Sequence, residues 1–181
     1  MGSAMSRSYR GFRYRNHRKL LLVGLDNAGK TTVLQQLHAG AAGETEPTMD
    51  FNVEDVRVGK LTMHVWDVGG QDALRPYWRH YYTGTQGIIF VVDSADRTRL
   101  DTSRAELTTL LADEQLADAS ILVLANKQDL SGAASLEEVS KLLDLDSVCG
   151  ARPYRVVACQ AREGLGLRDG MAFLAEATKP I

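Results

Sequence analysis

Residues 24–32, which read GLDNAGKTT, have the residue types of a phosphate-binding loop. They match the pattern G-x-x-x-x-G-K-[ST] between an apolar run and a helical one. Glycines let backbone N–H groups curl around a phosphate, and the N-terminus of the following helix adds its positive dipole end. Lys30 is expected to reach the β- and γ-phosphates and the Thr31 hydroxyl to bind Mg²⁺. The pattern predicts a nucleoside triphosphate site formed by Asp26, Asn27, Ala28, Gly29, Lys30, Thr31 and Thr32.

A second segment, which reads NKQD from Asn126 onward, indicates the base. Guanine presents N1–H and its N2 amino group side by side, so the Asp129 carboxylate can accept from both, and adenine has no such pair of donors there. Asn126 is expected to brace the base and the loops, and the aliphatic stem of Lys127 to lie along the ring face. After the last strand, a backbone N–H at Cys159 and Gln160 is expected to meet guanine O6.

A third segment, VWDVGGQ at 65–71, ends an apolar strand on an acid, two glycines and an amide. A tight turn explains an Asp and one Gly, because both tolerate tight backbone geometry. It does not explain why a second Gly, Gly70, and then Gln71 follow. The pattern raises the question of whether an acid, a bare backbone amide and a polar side chain meet at one point.

The composition is that of an ordinary globular protein, with 181 residues, 44% of them hydrophobic and 24% charged. This length predicts one domain with a substantial core. The apolar runs are far shorter than the ~20 residues of a membrane-spanning helix, and no signal peptide is visible. Cys149 and Cys159 lack metal-ligand spacing, so we expect free thiols in a reducing, intracellular compartment.

The charge is uneven along the chain. Six of the 21 basic residues lie within residues 1–19, where there is no acid, which leaves 15 basic against 23 acidic residues in the rest. We therefore divide the chain into a basic N-terminal arm, 1–18, and a domain, 19–181. A basic arm on an acidic body favours an anionic membrane surface over nucleic acid, and a solvated tail is the alternative. The basic residues concerned are Arg7, Arg10, Arg13, Arg15, Arg18 and Lys19.

Short β-rich runs alternate with amphipathic helical windows from residue 19 onward. Gly59-Lys60 separates two runs and predicts a hairpin, whereas the other successive runs are joined through helices and require parallel pairing. The result is a doubly wound, mostly parallel α/β sheet of six strands with one antiparallel edge strand, in which ligands bind beyond the carboxyl ends of the strands. The predicted strands are 19–24, 51–58, 61–67, 87–93, 121–125 and 154–158. The predicted helices are 30–39, 98–112, 135–143 and 167–177, with an irregular segment at 73–82.

Together these motifs resemble the Arf and Arf-like branch of the Ras-type small GTPases. The resemblance covers about residues 20–174 and rests on GLDNAGKTT, PT at 47–48, WDVGGQ, RPYWRHYY and ANKQDL at the family's spacing. Only 15 residues separate Thr32 from Thr48, which excludes an inserted helical domain of the kind found in heterotrimeric G-protein α subunits. Features of the Arf and of the Arf-like subfamilies are mixed, so that choice stays open.

The resemblance implies a P-loop small GTPase fold and a GTP/GDP switch with slow intrinsic GTP hydrolysis that recruits effectors in membrane traffic. Asp67 would hold Mg²⁺ through a water and Thr48 would supply a second hydroxyl beside that of Thr31. The Gly70 N–H would bind the γ-phosphate, while Gln71, with Lys30 as the other catalytic residue, would orient the attacking water.

The same resemblance implies a monomer that works with a guanine-nucleotide exchange factor, an activating protein that supplies an arginine, and effectors of the GTP state. Phe51, Trp66 and Tyr81 match the aromatic trio at which such proteins meet regulators and effectors. Arg75 and Arg79 are expected to face partners, which leaves no internal arginine at the γ-phosphate. The expected location is the cytoplasm, with reversible association to a Golgi-like intracellular membrane.

The chain departs from the family pattern at three places. Asp50 replaces the glycine that usually begins the hairpin, which puts a sliding motion of that hairpin in question. Gln160 replaces the usual small residue of the guanine O6 loop, and the N-terminus is poor in Leu and Phe. Gly2, with Ser6, fits the N-myristoylation pattern, although MGSAM also resembles sequence left by cloning.

Two other functions are compatible with parts of the sequence. A GTP-binding interaction module with negligible turnover is suggested by Asp50 and by the lack of a catalytic arginine. A P-loop phosphotransferase acting on a small molecule would leave WDVGGQ and NKQD without a role.

Overall fold

The computed structural model describes residues 16–40, 43, 45–46 and 48–178. Its centre is a six-stranded sheet in the order β2-β3-β1-β4-β5-β6, in which β2 and β3 are antiparallel and the other neighbours are parallel. The predicted doubly wound sheet with one antiparallel edge strand is confirmed. The strands are β1 His17–Val23, β2 Phe51–Val58, β3 Leu61–Val68, β4 Gly87–Asp93, β5 Ser120–Asn126 and β6 Tyr154–Ala158.

Helices cover both faces of the sheet, as parallel strands require. One face packs on α1 and α5 around Leu20, Val33 and Met171, and the other packs on α2, α3 and α4 around Phe90 and Leu107. Within the described residues, no helix is long and apolar enough to cross a membrane. The helices are α1 Lys30–Ala39, α2 Leu100–Leu111, α3 Leu136–Leu142, α4 Leu145–Cys149 and α5 Leu167–Ala177.

The sequence did not predict α4, a single short turn. It follows Asp144, which has a left-handed φ of 51°, so the chain reverses there before one more turn forms. The predicted helix at 98–112 begins instead with a short 3₁₀ turn, Arg97–Arg99. The segment predicted to be irregular contains a 3₁₀ helix, Arg75–Tyr81, which is fixed from inside because buried Trp78 donates from Nε1 to the Gly69 carbonyl at 2.9 Å.

β1 begins at His17, two residues before the predicted strand, so Arg18 of the predicted arm belongs to the sheet together with Lys19, the first residue of the predicted domain. Arg18 is buried and donates from Nε to the Thr178 carbonyl at 3.2 Å. The Lys19 ammonium donates to the carbonyls of Tyr81 and Thr83 at 2.7 and 2.8 Å. Both side chains are bound to the fold. Residues 1–15, including Gly2 and four of the arm's arginines, lie outside the described residues.

Candidate functional site

A cavity of about 480 Å³ lies beyond the carboxyl ends of β1, β5 and β6, where a doubly wound sheet binds ligands. The phosphate loop, the segment before β2, the turn after β3 and the loops after β5 and β6 contribute its walls. These five segments contain the three motifs singled out from the sequence. The lining residues are Asp26, Asn27, Gly29, Lys30, Thr31, Thr32, Thr45, Glu46, Thr48, Gly70, Gln71, Asn126, Lys127, Asp129, Leu130, Gln160, Ala161, Arg162 and Glu163.

Lys30 is the buried cation of this cavity. Its ammonium donates to the Leu25 carbonyl at 2.8 Å, and burial lowers its pKa to about 8, against the opposing effect of Asp67 and Asp26. A desolvated ammonium gains more from an anion than a hydrated one does. The side chain is therefore suited to bind a phosphate.

Three oxygen-bearing side chains converge beside Lys30. Thr31 Oγ1 donates to Asp67 Oδ2 at 2.8 Å and lies 3.0 Å from Thr48 Oγ1, which is 3.4 Å from the same carboxylate oxygen. Asp67 is fully buried, which raises the pKa of its carboxyl, while the Thr31 hydrogen bond opposes that shift. Its Oδ1 has no hydrogen-bond partner among the described residues. Two hydroxyls and a buried carboxylate with an unpaired oxygen form the hard oxygen donor set that suits Mg²⁺.

The two glycines of WDVGGQ are both required by close approach. A Cβ on Gly70 would lie 2.3 Å from the Lys30 ammonium, and one on Gly69 would lie 2.6 Å from the Thr48 carbonyl. The Gly70 carbonyl accepts from the Asp26 N–H at 3.0 Å, so this turn is bonded directly to the phosphate loop. Gln71 then lines the cavity. Gly70 and Gln71 thus line the same cavity as Thr31 and Thr48, whose hydroxyls lie within hydrogen-bond distance of Asp67.

At the base end, buried Asn126 holds two loops together. Its Nδ2 donates to the Ala28 carbonyl at 2.9 Å, and its Oδ1 accepts from the Ala161 N–H at 3.0 Å. Lys127 has a left-handed φ of 63°, and its ammonium pairs with Asp93 at 2.6 Å, which fixes the stem at the cavity wall. Asp129 is exposed and lines the cavity, and no hydrogen bond or ion pair within the described residues engages its carboxylate in competition with a base.

Two predicted nucleotide contacts do not line the cavity. Ala28 is buried, and its N–H donates to Leu25 at 3.3 Å. Cys159 is fully buried, and its N–H donates to the Ala125 carbonyl at 2.9 Å, which continues the pairing of β5 with β6. The Cys159 side chain therefore packs in the core instead of reaching a base.

Gln160 lines the cavity, but its N–H already donates to the Leu165 carbonyl at 3.1 Å. Ala161, the next residue of this loop, is small and also lines the cavity. Sequence reasoning did not single out Ala161, nor the other lining residues Thr45, Glu46, Leu130, Arg162 and Glu163, because no motif marks these positions.

Arg75 points inward, contrary to the prediction that it faces partners. Its guanidinium is only 8% exposed, donates from Nε to the Gly70 carbonyl at 3.0 Å, and pairs with Asp72, Glu106 at 3.2 Å and Asp26 at 3.4 Å. Neither Arg75 nor exposed Arg79 lines the cavity. Arg162, in the loop after β6, supplies the one guanidinium among the described lining residues.

The aromatic trio forms one cluster on the exposed face of the hairpin. The rings of Phe51 and Trp66 stack with centroids 5.3 Å apart, and Tyr81 lies 5.4 and 6.1 Å from them. Phe51 is 44% exposed. Asp50, the residue in place of a glycine, accepts a hydrogen bond from the Tyr81 hydroxyl at 3.0 Å and does not have a positive φ. This conformation therefore does not require glycine at position 50.

The model of the ADP-ribosylation factor family matches residues 5–178 of this chain. The chain belongs to the ADP-ribosylation factor family. It is similar to ADP-ribosylation factor-like protein 2 of Arabidopsis thaliana, with 43% identity over 158 residues that cover 87% of this chain and 85% of the relative. A solved structure of the Trypanosoma brucei small GTPase Arl6 BBS3 with bound nucleotide analogue GppNp superposes with a TM-score of 0.83 at 32% identity, covering 88% of this chain and 96% of that one.

As an Arf-family small GTPase, the protein binds guanine nucleotide, hydrolyses GTP, and has exchange factors, activating proteins and effectors as its general classes of partner. In the confirmed fold, the predicted phosphate and base segments and the segments around Thr48 and Gly70 all line the cavity described above.

Proposed function

We propose that this family member is a slow, partner-controlled switch that senses the γ-phosphate through Thr48 and Gly70. The proposal rests on two contacts with the phosphate loop. Thr48 lies beside Thr31, and Gly70 lies beside Lys30 and Asp26. When the γ-phosphate leaves, both would lose a binding partner, and the two segments would be released.

The donor set assigns a role to each side chain. The Thr31 and Thr48 hydroxyls, with Asp67 through a water, would hold Mg²⁺, which when bound neutralises charge on the β- and γ-phosphates. Lys30 would bind the same phosphates and the Gly70 N–H the γ-phosphate. Gln71 would orient the attacking water.

The transition state needs a further cation, because charge develops on the transferred phosphoryl group. Arg75 and Arg99 both pair with Asp26 of the phosphate loop, and neither lines the cavity. An activating protein that inserts an arginine would supply the missing charge. We therefore propose slow hydrolysis by the isolated protein.

We further propose that the aromatic cluster of Phe51, Trp66 and Tyr81 is the surface for effectors and regulators, and that the basic arm binds anionic lipid. Arg7, Arg10, Arg13 and Arg15 are the charges available for this, since Arg18 and Lys19 are bound to the fold. A monomer that moves between the cytoplasm and an intracellular membrane in vesicle traffic is the corresponding cellular role. Myristate on Gly2 would add a second membrane signal, and intact mass of the protein from its native cell would reveal it.

The alternative is a GTP-binding module with negligible turnover, and what favours it is that the one arginine among the described lining residues, Arg162, lies in the loop after β6 and not in the segments that carry Lys30 and Gln71. Single-turnover GTP hydrolysis, alone and with the catalytic domain of an Arf-family activating protein, separates the two. The switch predicts slow hydrolysis alone and an acceleration of about 10³–10⁵ with the partner. Tight GTP binding with no hydrolysis in either condition would instead establish the module.

A further inference from the structure

Three side chains outside the nucleotide cavity form a hydrogen-bonded row across three strands. His17 Nδ1 on β1 lies 2.8 Å from His64 Nε2 on β3, and the rings stack with centroids 5.0 Å apart. His64 Nδ1 bonds in turn to the Asp55 carboxylate on β2. The nucleotide-binding roles proposed above use none of the three.

The row crosses the pairing of β1 with β3, and this pairing positions Asp67, the proposed magnesium ligand. β3 pairs with β1 from His17 opposite Thr62 to Leu22 opposite Asp67, so the register of β3 on β1 decides where Asp67 lies. A slip of two residues would keep every side chain on its own face but move Asp67 by about 7 Å, out of reach of Thr31. The same slip would part His17 from His64.

We propose that His17, His64 and Asp55 form a proton-dependent clamp that holds β3 in the register at which Asp67 meets Thr31. His17 and His64 are then positioning residues for the magnesium site, acting through Asp67. The inference rests on the proposed function, because it assumes that Asp67 and Thr48 serve the GTP state.

The chemistry of facing imidazoles sets the direction of the pH effect. With both rings neutral, His64 donates from Nδ1 to Asp55, so its Nε2 accepts from His17. One added proton keeps the bond, since a charged His64 donates to His17 and is stabilised by Asp55. A second added proton leaves two N–H groups facing each other between two cations, and the bond is lost. Histidine changes charge between about pH 5 and 8, so the clamp holds at neutral pH and opens in acid.

Other charged side chains lie on the face of the sheet that carries the row. By strand alternation, Lys19 and Arg57 share the face of β1 and β2 that carries His17 and Asp55, and the Lys19 ammonium lies 4.9 Å from the Trp66 ring centroid. Tyr81, the titratable residue that the 3₁₀ helix adds at this face, has a pKa raised by desolvation and stays neutral. Lys19, Arg57, Asp55 and Tyr81 are thus the charged and titratable groups that share this face with the two histidines.

The clamp is tested by the affinities of the full chain for GDP and for a non-hydrolysable GTP analogue with Mg²⁺, at pH 7.5 and 5.5. We expect the preference for the analogue to fall roughly threefold to tenfold in acid, the size of one lost hydrogen bond. In His17→Leu, the preference for the analogue over GDP should already be low at pH 7.5. Lowering the pH to 5.5 should then change this preference only by the amount due to protonation of the nucleotides themselves. His80→Leu, an exposed histidine outside the row, should behave like the wild type. The same acid-induced fall in wild type and His17→Leu would overturn the clamp.

Histidine ¹H–¹⁵N correlation spectra test the clamp without reference to nucleotide preference. We expect His64 to carry its proton on Nδ1 at pH 7.5 and the two rings to titrate in coupled steps that become a single step in His17→Leu. Independent titration of His17 and His64 would overturn the clamp even if the protein is a switch. If the full chain showed no preference between GDP and the GTP analogue at any pH, the proposed function would be contradicted. The histidine spectra would still test the hydrogen-bonded row in that case.

Discussion

The hydroxyl oxygens of Thr31 and Thr48 lie 3.0 Å apart, although the two residues are 17 positions apart in the sequence. Both also lie within hydrogen-bond distance of Asp67 Oδ2, at 2.8 and 3.4 Å. The segment before β2 is thereby docked on the phosphate loop and on the end of β3. This three-way contact is the geometric basis of the switch proposal.

Guanine selectivity should depend on Asp129. Asp129→Asn replaces half of the acceptor pair with a donor that faces guanine's own donors, and mispaired buried polar groups cost roughly 1–3 kcal/mol each. We expect affinity for GTP to fall at least about tenfold and affinity for xanthosine triphosphate to rise, both measured by fluorescent nucleotide displacement. Unchanged GTP affinity in the variant would place the base elsewhere.

Gln71→Leu should nearly abolish hydrolysis stimulated by an activating protein and leave GTP affinity within a few-fold of the wild type. The leucine keeps the size of the side chain but cannot orient a water. Single-turnover assays with the activating protein would measure the first effect and nucleotide displacement the second. Turnover by the isolated wild type on the order of one per second would show that an internal cation serves the reaction, and Arg162 would be the first candidate because it lines the cavity.

The hydrogen bond from Tyr81 to Asp50 should help to hold the start of β2 in its present position. Asp50→Gly and Tyr81→Phe each remove it, and an exposed hydrogen bond is worth about 0.5–1.5 kcal/mol. We expect each variant to lower the preference for a non-hydrolysable GTP analogue over GDP severalfold, and the double variant to add little more. Fully additive losses would mean that the two side chains act separately.

The buried Lys30 should make the nucleotide-free protein more stable at alkaline pH. Its pKa is depressed to about 8, so between pH 8 and 10.5 the unfolded chain binds more protons than the folded one, and stability rises with pH across that window. We expect a gain of about 1–2 kcal/mol between pH 7.5 and 9.5 in urea unfolding. The gain should be absent in Lys30→Met and in the GDP-bound protein, where phosphate keeps the ammonium charged. An equal gain in Lys30→Met would assign it to other groups.

The basic arm should bind anionic membranes through four arginines. Each basic residue near such a surface contributes about 1 kcal/mol, decaying within a Debye length. Replacing Arg7, Arg10, Arg13 and Arg15 with Gln should abolish flotation with phosphatidylserine liposomes. Arg18 and Lys19 stay unchanged in this variant because their replacement would disturb β1. If the unlipidated wild type does not float, a myristoylated preparation decides between an arm that requires lipid and an inert one.

The sequence by itself predicted the order of strands and helices, the antiparallel edge hairpin and the convergence of three motifs at one end of the sheet. These features follow from local patterns: alternation and apolar runs specify strands, and a short connection such as Gly59-Lys60 permits only an antiparallel pair. A phosphate loop is likewise contiguous, so Lys30 and Thr31 could be assigned from their neighbours alone.

The tertiary structure decided where individual side chains point. Arg75 faces inward because packing brings two carboxylates to its guanidinium. One belongs to Glu106, 31 positions away in the sequence, and the other to Asp26, 49 positions away. Cys159 is buried and does not line the cavity, because its N–H continues the pairing of β5 with β6. The pairing of His17 with His64 likewise depends on the register of β3 on β1. Such contacts join residues distant in sequence, and no local pattern encodes which of them a long polar side chain will reach.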